Sequence, residues 1–394
     1  MITETIYEHL KDIYNSKVGP LVSPAIEIDP SYTVSKVMSE ISKNDAYDVF
    51  CMDGNSVLTT NVRTLLSGKN ISSMKITPFL SPIRSLSKDD LVQTAANIIA
   101  HYRIRAVPVL ENNKIIGCIT AKSILELLSK KNNQWIGANL ILTADPITIK
   151  SSEPLATARR LMLSKKIDHL PVLDKNVVRQ VLTSYHVLQT LNPEERIGKK
   201  SIGMTKVGNL GARIGNMGST RVPRCLPSDN LNTIIRNMLD TNTTCCLVSL
   251  WDKLQGIITY RDILSLLAAK IESEIPLYVV GMPEDQRNVD LITSKFSKTL
   301  QRIRNVYSEI QEARVTIKKQ RTGRKNRKEG MYEVSIMITT PHYAPFIFKE
   351  SGWDLGKVFE ILSQKMRKML SKRAKRRSKP SIRKIETPGL IESI

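Results

Sequence analysis

The sequence predicts an α/β (α+β) chain: four copies of one β-α-β-β-α unit, then a separate β-α-β-β-β-α domain. Three observations predict it. A short strand, an amphipathic helix, two apolar strands and a second helix recur four times between residues 20 and 271. The register is strict: Pro108, Pro171 and Leu247 each stand twelve positions before a closing threonine, Thr120, Thr183 and Thr259. The charge also changes where the repeat stops. Residues 284–394 hold 26 Lys and Arg against 12 Asp and Glu, a net +14 out of +22 for the whole chain.

Residues 1–19 read as an N-terminal helix. The first copy, 20–74, is the most worn, with a strand at 25–28, a helix at 34–41, strands at 47–52 and 56–59 and a helix from about residue 61. The second, 75–132, runs strand 81–86, helix 91–101, strands 107–110 and 115–120, and a helix from 121. The third, 143–192, runs strand 146–149, helix 155–163, strands 169–173 and 177–183, and a helix from 184. In the fourth, 220–271, a strand at 221–226 precedes a helix that Asn230 can cap. Leu231, Ile234, Ile235 and Met238 share one face of that helix; strands at 246–250 and 254–259 and a helix from 260 complete the unit. Residues 193–219 read as a flexible basic linker, with Gly203, Gly208, Gly211, Gly215 and Gly218 among Lys199, Lys200, Lys206 and Arg213. The alternative is a loop whose bare backbone approaches phosphates.

The P-V-L…G-x-I-T pattern, clearest at Pro108-Val109-Leu110 and Gly117 to Thr120, resembles that of CBS domains. The resemblance covers about two-thirds of the chain. It implies β-α-β-β-α modules joined through their sheets as two Bateman pairs, about 20–132 and 143–271. It also implies an adenine-nucleotide site where the family pattern G-x-x-[ST]-x-x-D is met: hydroxyl and helix N-terminal amides meet phosphate, and the carboxylate meets ribose. Only the fourth copy keeps all three residues, Gly256, Thr259 and Asp262. The second has Gly117, Thr120 and Ser123, the third Gln180, Thr183 and His186, the first Ser56, Thr59 and Val62. The expectation is one adenine-nucleotide site (AMP, ADP or ATP) in the second pair, with no cofactor required. The competing use of Asp262 is as an ordinary acid in the first turn of a helix.

The C-terminal domain, 275–378, opens on a strand at 276–281. A helix at 286–311 follows, with Val289, Ile292, Phe296, Leu300, Ile303, Tyr307 and Ile310 on one face and Lys295, Lys298 and Arg302 in a second stripe. A strand at 313–317 leads into a basic loop, Lys318, Lys319, Arg321, Arg324, Lys325, Arg327 and Lys328. Strands at 332–338 and 345–349 and a helix to about 377 complete a four-stranded sheet with both helices on one face. The last helix carries Lys365, Arg367, Lys368, Lys372, Arg373, Lys375, Arg376 and Arg377, and 379–394 is a tail. This order, the basic loop and the basic last helix resemble the ribosome hibernation-promoting factors. That resemblance implies contact with small-subunit rRNA at mRNA and tRNA positions through the cations just named. The combination of CBS modules with a basic end also resembles the archaeal dual ribosomal subunit inhibitors, which implies engagement of the large subunit as well.

Charge alone points the same way. A chain at +22 attracts polyanions, and so many cations on two helix stripes and one loop give a steeply salt-dependent affinity. No aromatic ladder interleaves them, so backbone and shape recognition of folded RNA is expected there. No apolar run approaches the roughly 18–20 residues of a membrane span. Cys51, Cys118, Cys225, Cys245 and Cys246 form no C-x-x-C pair, and His9, His101, His169, His186 and His342 do not cluster at ligand spacing, so neither metal nor catalysis is expected. The leading expectation is a non-enzymatic, cytoplasmic, ribosome-associated hibernation factor with no membrane partner and no small-molecule substrate. The alternative is an adenine-nucleotide-sensing CBS regulator with a basic nucleic-acid-binding tail.

Overall fold

The computed structural model describes residues 5–68, 74–175, 177–191, 210–251, 253–267, 269–271, 277–281, 290, 294, 296, 312–320, 330–340 and 343–377. The chain divides into two compact units: Met1–Lys270 with the short pieces Val279–Met282 and Thr316–Lys319, and Ile271–Tyr278, Pro283–Val315 and Gln320–Ile394.

The repeat is expressed four times in the first unit. Each copy has a first helix (Val34–Lys43, Val92–Tyr102, Leu155–Lys165, Leu231–Asp240) and an antiparallel hairpin, Asp48–Asp53 with Ser56–Asn61, Ala106–Glu111 with Lys114–Thr120, His169–Asp174 with Val177–Thr183, and Cys245–Leu250 with Lys253–Thr259. A second helix follows (Val62–Leu65, Ala121–Ser129, Ser184–Leu191, Tyr260–Leu264). The worn first copy keeps the backbone signature of the others. Asp45, Arg103, Lys166 and Asn242, each three residues before the hairpin, all take the left-handed conformation, with φ of 48, 56, 50 and 47°. So do Gly54, Asn112, Lys175 and Trp251, each six residues into it. These turns leave the helix and reverse the hairpin at the same points in every copy, whatever residue fills them.

The opening segment of each copy runs first along its neighbour's sheet and then along its own. Ser23 pairs with Cys118 of copy two before Glu27 reaches Phe50, and Ser81–Ile83 pairs with Ser56–Asn61 of copy one before Leu86 reaches Val109. Thr143–Ala144 pairs with Lys253–Thr259 of copy four, and Ser219 pairs with Val181 of copy three. Backbone hydrogen bonds therefore knit copy one to two and copy three to four, as Bateman-like pairs.

The close crossing explains the pattern glycines. A Cβ on Gly117 would lie 2.4 Å from Val22 Cγ1 and 2.6 Å from the Ser23 oxygen; on Gly256 it would lie 2.6 Å from Leu142 Cδ1 and 2.8 Å from the Thr143 oxygen. Copy three has Gln180 at this position and moves the glycine to the crossing strand: Gln180 Oε1 accepts from Gly218 N at 2.8 Å, and its amide donates to the Gly215 oxygen.

Helices pair the other way. Ile99, Ile124 and Leu128 of copy two are buried with Leu231, Ile235, Ile263 and Leu267 of copy four. Val37, Ile41 and Leu65 of copy one are buried with Leu155, Met162 and Val187 of copy three. Sheets thus join one to two and three to four, helices join one to three and two to four, and all four copies meet at one centre.

Several expectations need correction. The N-terminal helix is two short ones, Ile6–His9 and Lys11–Tyr14. Thr5 and Glu8 close a capping box at the start, and Gly19–Leu21 forms a 3-10 turn where Pro20 cannot continue a helix. The end of the linker, 210–219, is ordered. Leu155 N donates to the Ala212 oxygen at 2.9 Å and Ala156 N to the Leu210 oxygen at 2.8 Å, and Ile214 is fully buried. These carbonyls serve the start of a helix whose N-cap, Pro154, offers no side-chain acceptor. Every copy has the same arrangement: Val34 N finds Met74 O, Val92 N finds Ser16 O, and Leu231 N finds Ile136 O. Gly203, Gly208, Lys199, Lys200 and Lys206 lie outside the described residues.

In the C-terminal region the sheet has five strands, not four, in sequence order: Ala269–Ile271, Leu277–Val280, Glu312–Gln320, Met331–Thr340 and Tyr343–Gly352. The added edge strand is too short for its alternation to register in the sequence. Helix Leu355–Arg377 packs Leu355, Val358, Phe359, Leu362 and Met366 inward, with Val334, Ile336, Ile338, Phe346 and Phe348 also buried. Residues 290, 294 and 296 are helical, and Phe296 meets Phe359 edge-on at 5.8 Å; the rest of the expected helix 286–311 lies outside the described residues.

Candidate functional site

The motif residues of copy four do come together. Thr259 ends a strand and Asp262 is the third residue of the next helix. Asp262 Oδ2 accepts from both Thr259 N and Thr259 Oγ1 at 2.7 Å, and Oδ1 accepts from Thr143 Oγ1 at 2.9 Å. This is a capping box, which satisfies amides that the helix start leaves open. Copies two and three do the same with other residues. Thr120 N donates to Ser123 Oγ at 3.2 Å, and Thr183 N donates to His186 Nδ1 at 3.1 Å. The position where the family pattern asks for an acid is therefore a helix cap in three copies, and in the fourth both carboxylate oxygens are engaged inside the chain.

The centre where the four copies meet is a polar cluster that sequence reasoning missed. Asp168 is fully buried there. Its Oδ2 lies 2.5 Å from Arg63 NH1 of copy one and 3.8 Å from Arg261 NH2 of copy four. Its Oδ1 accepts from Tyr47 Oη and, at 3.1 Å, from Ser184 Oγ. Arg105 of copy two stacks its guanidinium 3.8 Å from the Tyr47 ring centre. Arg63 NH2 also donates to the Arg103 oxygen at 2.9 Å, and Arg103 NH1 donates to the Lys165 and Lys166 oxygens at 3.1 and 3.2 Å. Asp48 Oδ2 accepts from Arg105 N at 2.7 Å and Ala106 N at 3.0 Å. His169 Nε2 and Thr244 Oγ1 are 2.6 Å apart.

The charge states follow from burial and neighbours. Burial pushes the Asp168 carboxyl up, but Arg63, Arg105 and Arg261 outweigh it and hold the group well below the usual range. Asp48 lacks that surplus of cations, and burial raises it to about 7. Burial, with Arg105 adding, lowers His169 to about 3, so its ring is neutral. Three guanidiniums thus face one firmly ionised carboxylate. Asp48 Oδ1 and Arg105 Nε are buried without a hydrogen-bond partner among the described residues. The signal for this cluster was present: Arg105, Asp168 and Thr244 each stand fifteen residues before Thr120, Thr183 and Thr259. They differ in type, so similarity between copies hides them.

Of the expected RNA-binding residues, Lys365, Arg367 and Lys368 are exposed on the last helix, and Lys365 Nζ pairs with Glu350 Oε2 at 2.5 Å. Lys318 and Lys319 belong to the strand Glu312–Gln320 rather than to a loop, because the pairing continues past residue 317. Lys372, Arg373, Lys375, Arg376 and Arg377 continue the helix, with side chains outside the described part. Lys295, Lys298, Arg302, Arg321, Arg324, Lys325, Arg327 and Lys328 lie outside the described residues. The five cysteines are buried free thiols, and no His, Cys, Asp and Glu group able to hold a metal occurs among the described residues. No helix among them is long and apolar enough to cross a membrane.

Residues 76–130, 138–192 and 214–269 match the family model of the CBS domain. The chain is a CBS-domain protein. The first copy lies outside those matches and shares the CBS element order and left-handed turn positions described above. The chain is 23% identical over 221 residues to the CBS domain-containing protein CBSCBSPB1 of Arabidopsis thaliana, covering 48% of this chain and 41% of that one. It is 24% identical over 217 residues to the SNF1-related protein kinase regulatory subunit gamma-1 of the same plant, covering 48% and 50%. This CBS-domain protein therefore spans about half the length of the curated relatives it matches. In fold it is similar to the crystal structure of protein MJ1225 from Methanocaldococcus jannaschii, described as a candidate archaeal homologue of γ-AMPK. The TM-score is 0.56 at 17% identity, over 64% of this chain and 100% of that one.

Proposed function

We propose that this CBS-domain protein is a non-enzymatic regulator that senses an adenine nucleotide in its repeat unit and carries a basic nucleic-acid-binding domain at its C-terminal end. The observation that carries the reading is the charge imbalance where the copies meet. Three guanidiniums against one ionised carboxylate, with an unsatisfied Arg105 N–H, suit a ligand bearing phosphates. Arg261 lies on the same helical turn as Thr259 and Asp262, so the motif of copy four and the cationic centre are contiguous. Thr259 and Asp262 would hold the nucleoside, with Asp262 exchanging an internal partner for ribose, while Gly256 admits the crossing strand beside them. The relative named as a kinase regulatory subunit supports a regulatory role. Calorimetric titration with AMP, ADP and ATP tests it. Binding that Asp262→Ser abolishes is the expected result, and no heat with any of the three defeats the sensing half of the proposal.

A second reading, ribosome hibernation, is favoured by one observation: the C-terminal strands lie in sequence order beside a last helix with Lys365, Arg367 and Lys368 exposed. Contact with rRNA at mRNA and tRNA sites, on one subunit or both, belongs to that reading. Sucrose-gradient co-sedimentation with small subunits, large subunits and whole ribosomes decides it; absence from every ribosomal peak rejects it.

A further inference from the structure

Two buried polar atoms at the centre of the repeat unit lack opposite partners. Asp48 of copy one is 4% exposed, and its Oδ1 accepts no hydrogen bond among the described residues. Arg105 of copy two stacks its guanidinium on the Tyr47 ring, and its buried Nε–H finds no acceptor there. Native structures leave few such groups open, because burial strips each of its water. The two groups are neighbours. Asp48 Oδ2 accepts from Arg105 N at 2.7 Å and from Ala106 N at 3.0 Å, which fixes the carboxyl at the root of the side chain whose donor is open. The open oxygen and the open N–H do not bond to each other. Arg63 and Arg261 both lie against Asp168, whereas Arg105 stacks on a ring. An anion held by Arg105 therefore meets Asp48 as well. An ionised carboxylate repels that anion; a protonated one donates a hydrogen bond to it.

We propose that Asp48 is a ligand of the bound nucleotide's phosphate and brings a proton to it. Its Oδ1–H donates to one phosphate oxygen while Arg105 Nε–H donates to another, so nucleotide binding takes up a proton from solvent. This assignment rests on the sensing half of the proposed function and adds acidity to what the site reads. The surroundings suit a carboxyl that changes charge near neutrality. Burial raises Asp48 to about 7, against the pull of Arg105 and Arg63. Burial also pushes the nearby Cys118 thiol up to about 11 and keeps it neutral. Asn61, opposite Asp48 in the hairpin, carries no charge. A phosphate beside the carboxyl favours its neutral form further. Uptake is thus largest above about pH 7, where Asp48 starts ionised, and affinity there falls about tenfold per pH unit. A single water molecule also satisfies both open atoms, but it gives no such linkage.

The full-length protein is titrated calorimetrically with AMP near pH 8 in buffers of different ionisation enthalpy. The slope of apparent enthalpy against buffer enthalpy counts the protons. Wild type should take up close to one. Asp48→Asn, whose amide donates without titrating, should bind AMP with no uptake and with affinity level from about pH 7 to 8.5, where wild type loses about tenfold per unit. His169→Gln should keep the uptake, which separates Asp48 from the imidazole of the same cluster. AMP binding by wild type without proton uptake overturns this inference and leaves the sensing reading standing; that count needs no variant, so a misfolded Asp48→Asn cannot mask it. Uptake that persists in Asp48→Asn assigns the proton elsewhere and also overturns it. Absence of heat with AMP, ADP and ATP alike overturns both.

Discussion

Asp168 and Arg63 meet 2.5 Å apart in the centre of the repeat unit, across 105 residues of chain and two different copies. Tyr47, Ser184 and Arg261 complete the shell, so one carboxylate ties copies one, three and four at a point where none of them alone has a core. Asp168→Ala leaves buried guanidiniums without their counter-charge and should destabilise the unit by about 3–5 kcal/mol. Urea denaturation followed by circular dichroism measures it, and formate, an anion of the deleted size, should restore part of the loss. A midpoint equal to wild type would show that the centre does not hold the copies together.

The same cluster predicts a pH signature. Asp48 keeps its proton in the folded protein up to about 7 and releases it near 3.9 when unfolded, so it makes stability fall as pH rises between those values. His169 has its pKa lowered from 6.5 to about 3, so the unfolded chain binds the extra proton and stability rises with pH in that window. The two slopes, each at most about 1.4 kcal/mol per pH unit, offset one another between about pH 4 and 6.5. Asp48→Asn should expose the rise and His169→Gln the fall. Parallel melting curves across that range would check both, and identical pH profiles in the two variants would contradict the assignment.

Gly117 and Gly256 are predicted to be intolerant for a reason unconnected with ligand. Alanine at either meets a crossing strand and should cost about 1–3 kcal/mol. Alanine at Gly54, whose Cβ meets nothing within 4 Å, meets only the strain of its positive φ. Thermal melts of the three variants rank them, and equal losses would speak against the crossing as the cause.

Asp262 has two jobs that substitution can separate. Ser123 already performs the capping job in copy two, so Asp262→Ser should keep stability within about 0.5 kcal/mol while removing the carboxylate. Asp262→Ala should lose both, at about 0.5–2 kcal/mol. If serine proves as destabilising as alanine, the Thr143 contact rather than the cap is what Asp262 contributes.

On the last helix, Lys365→Glu, Arg367→Glu and Lys368→Glu together should weaken RNA binding at low salt and flatten its dependence on salt. Each lost phosphate contact removes about 0.7–0.9 from the log–log slope. Filter binding over a salt series reads the change, and an unaltered slope would remove this helix from the interface.

The repeat was legible because its register depends on apolar periodicity and on a threonine that starts the second helix in copies two, three and four, both written in side chains; copy one has Asn61 there. The motif at Gly256, Thr259 and Asp262 was legible too, as was the T-x-x-D capping pattern within it. The polar centre was not. Tyr47, Arg105, Asp168 and Thr244 share one structural position, but the cluster works by being unlike at each corner, and an alignment of copies discards unlike residues. The ordered end of the linker was hidden for another reason. Leu210 and Ala212 act through their carbonyl oxygens, which every residue has. Trp251 stood in plain sight, but only the φ angles show that it occupies a place where its counterparts are Gly54, Asn112 and Lys175.

The two-way pairing of the copies also sets an order of events during synthesis. Copies one and two can exchange opening strands as soon as both exist, but the helix faces around Ile41 and Ile124 find their cover only in copies three and four. The core shared by copies one and three gains its last members near residue 217, and the core shared by copies two and four gains its last only near residue 267. A chain interrupted between residues 132 and 267 is thus an aggregation-prone intermediate rather than a smaller working protein, and the nascent repeat depends on completion or on a chaperone.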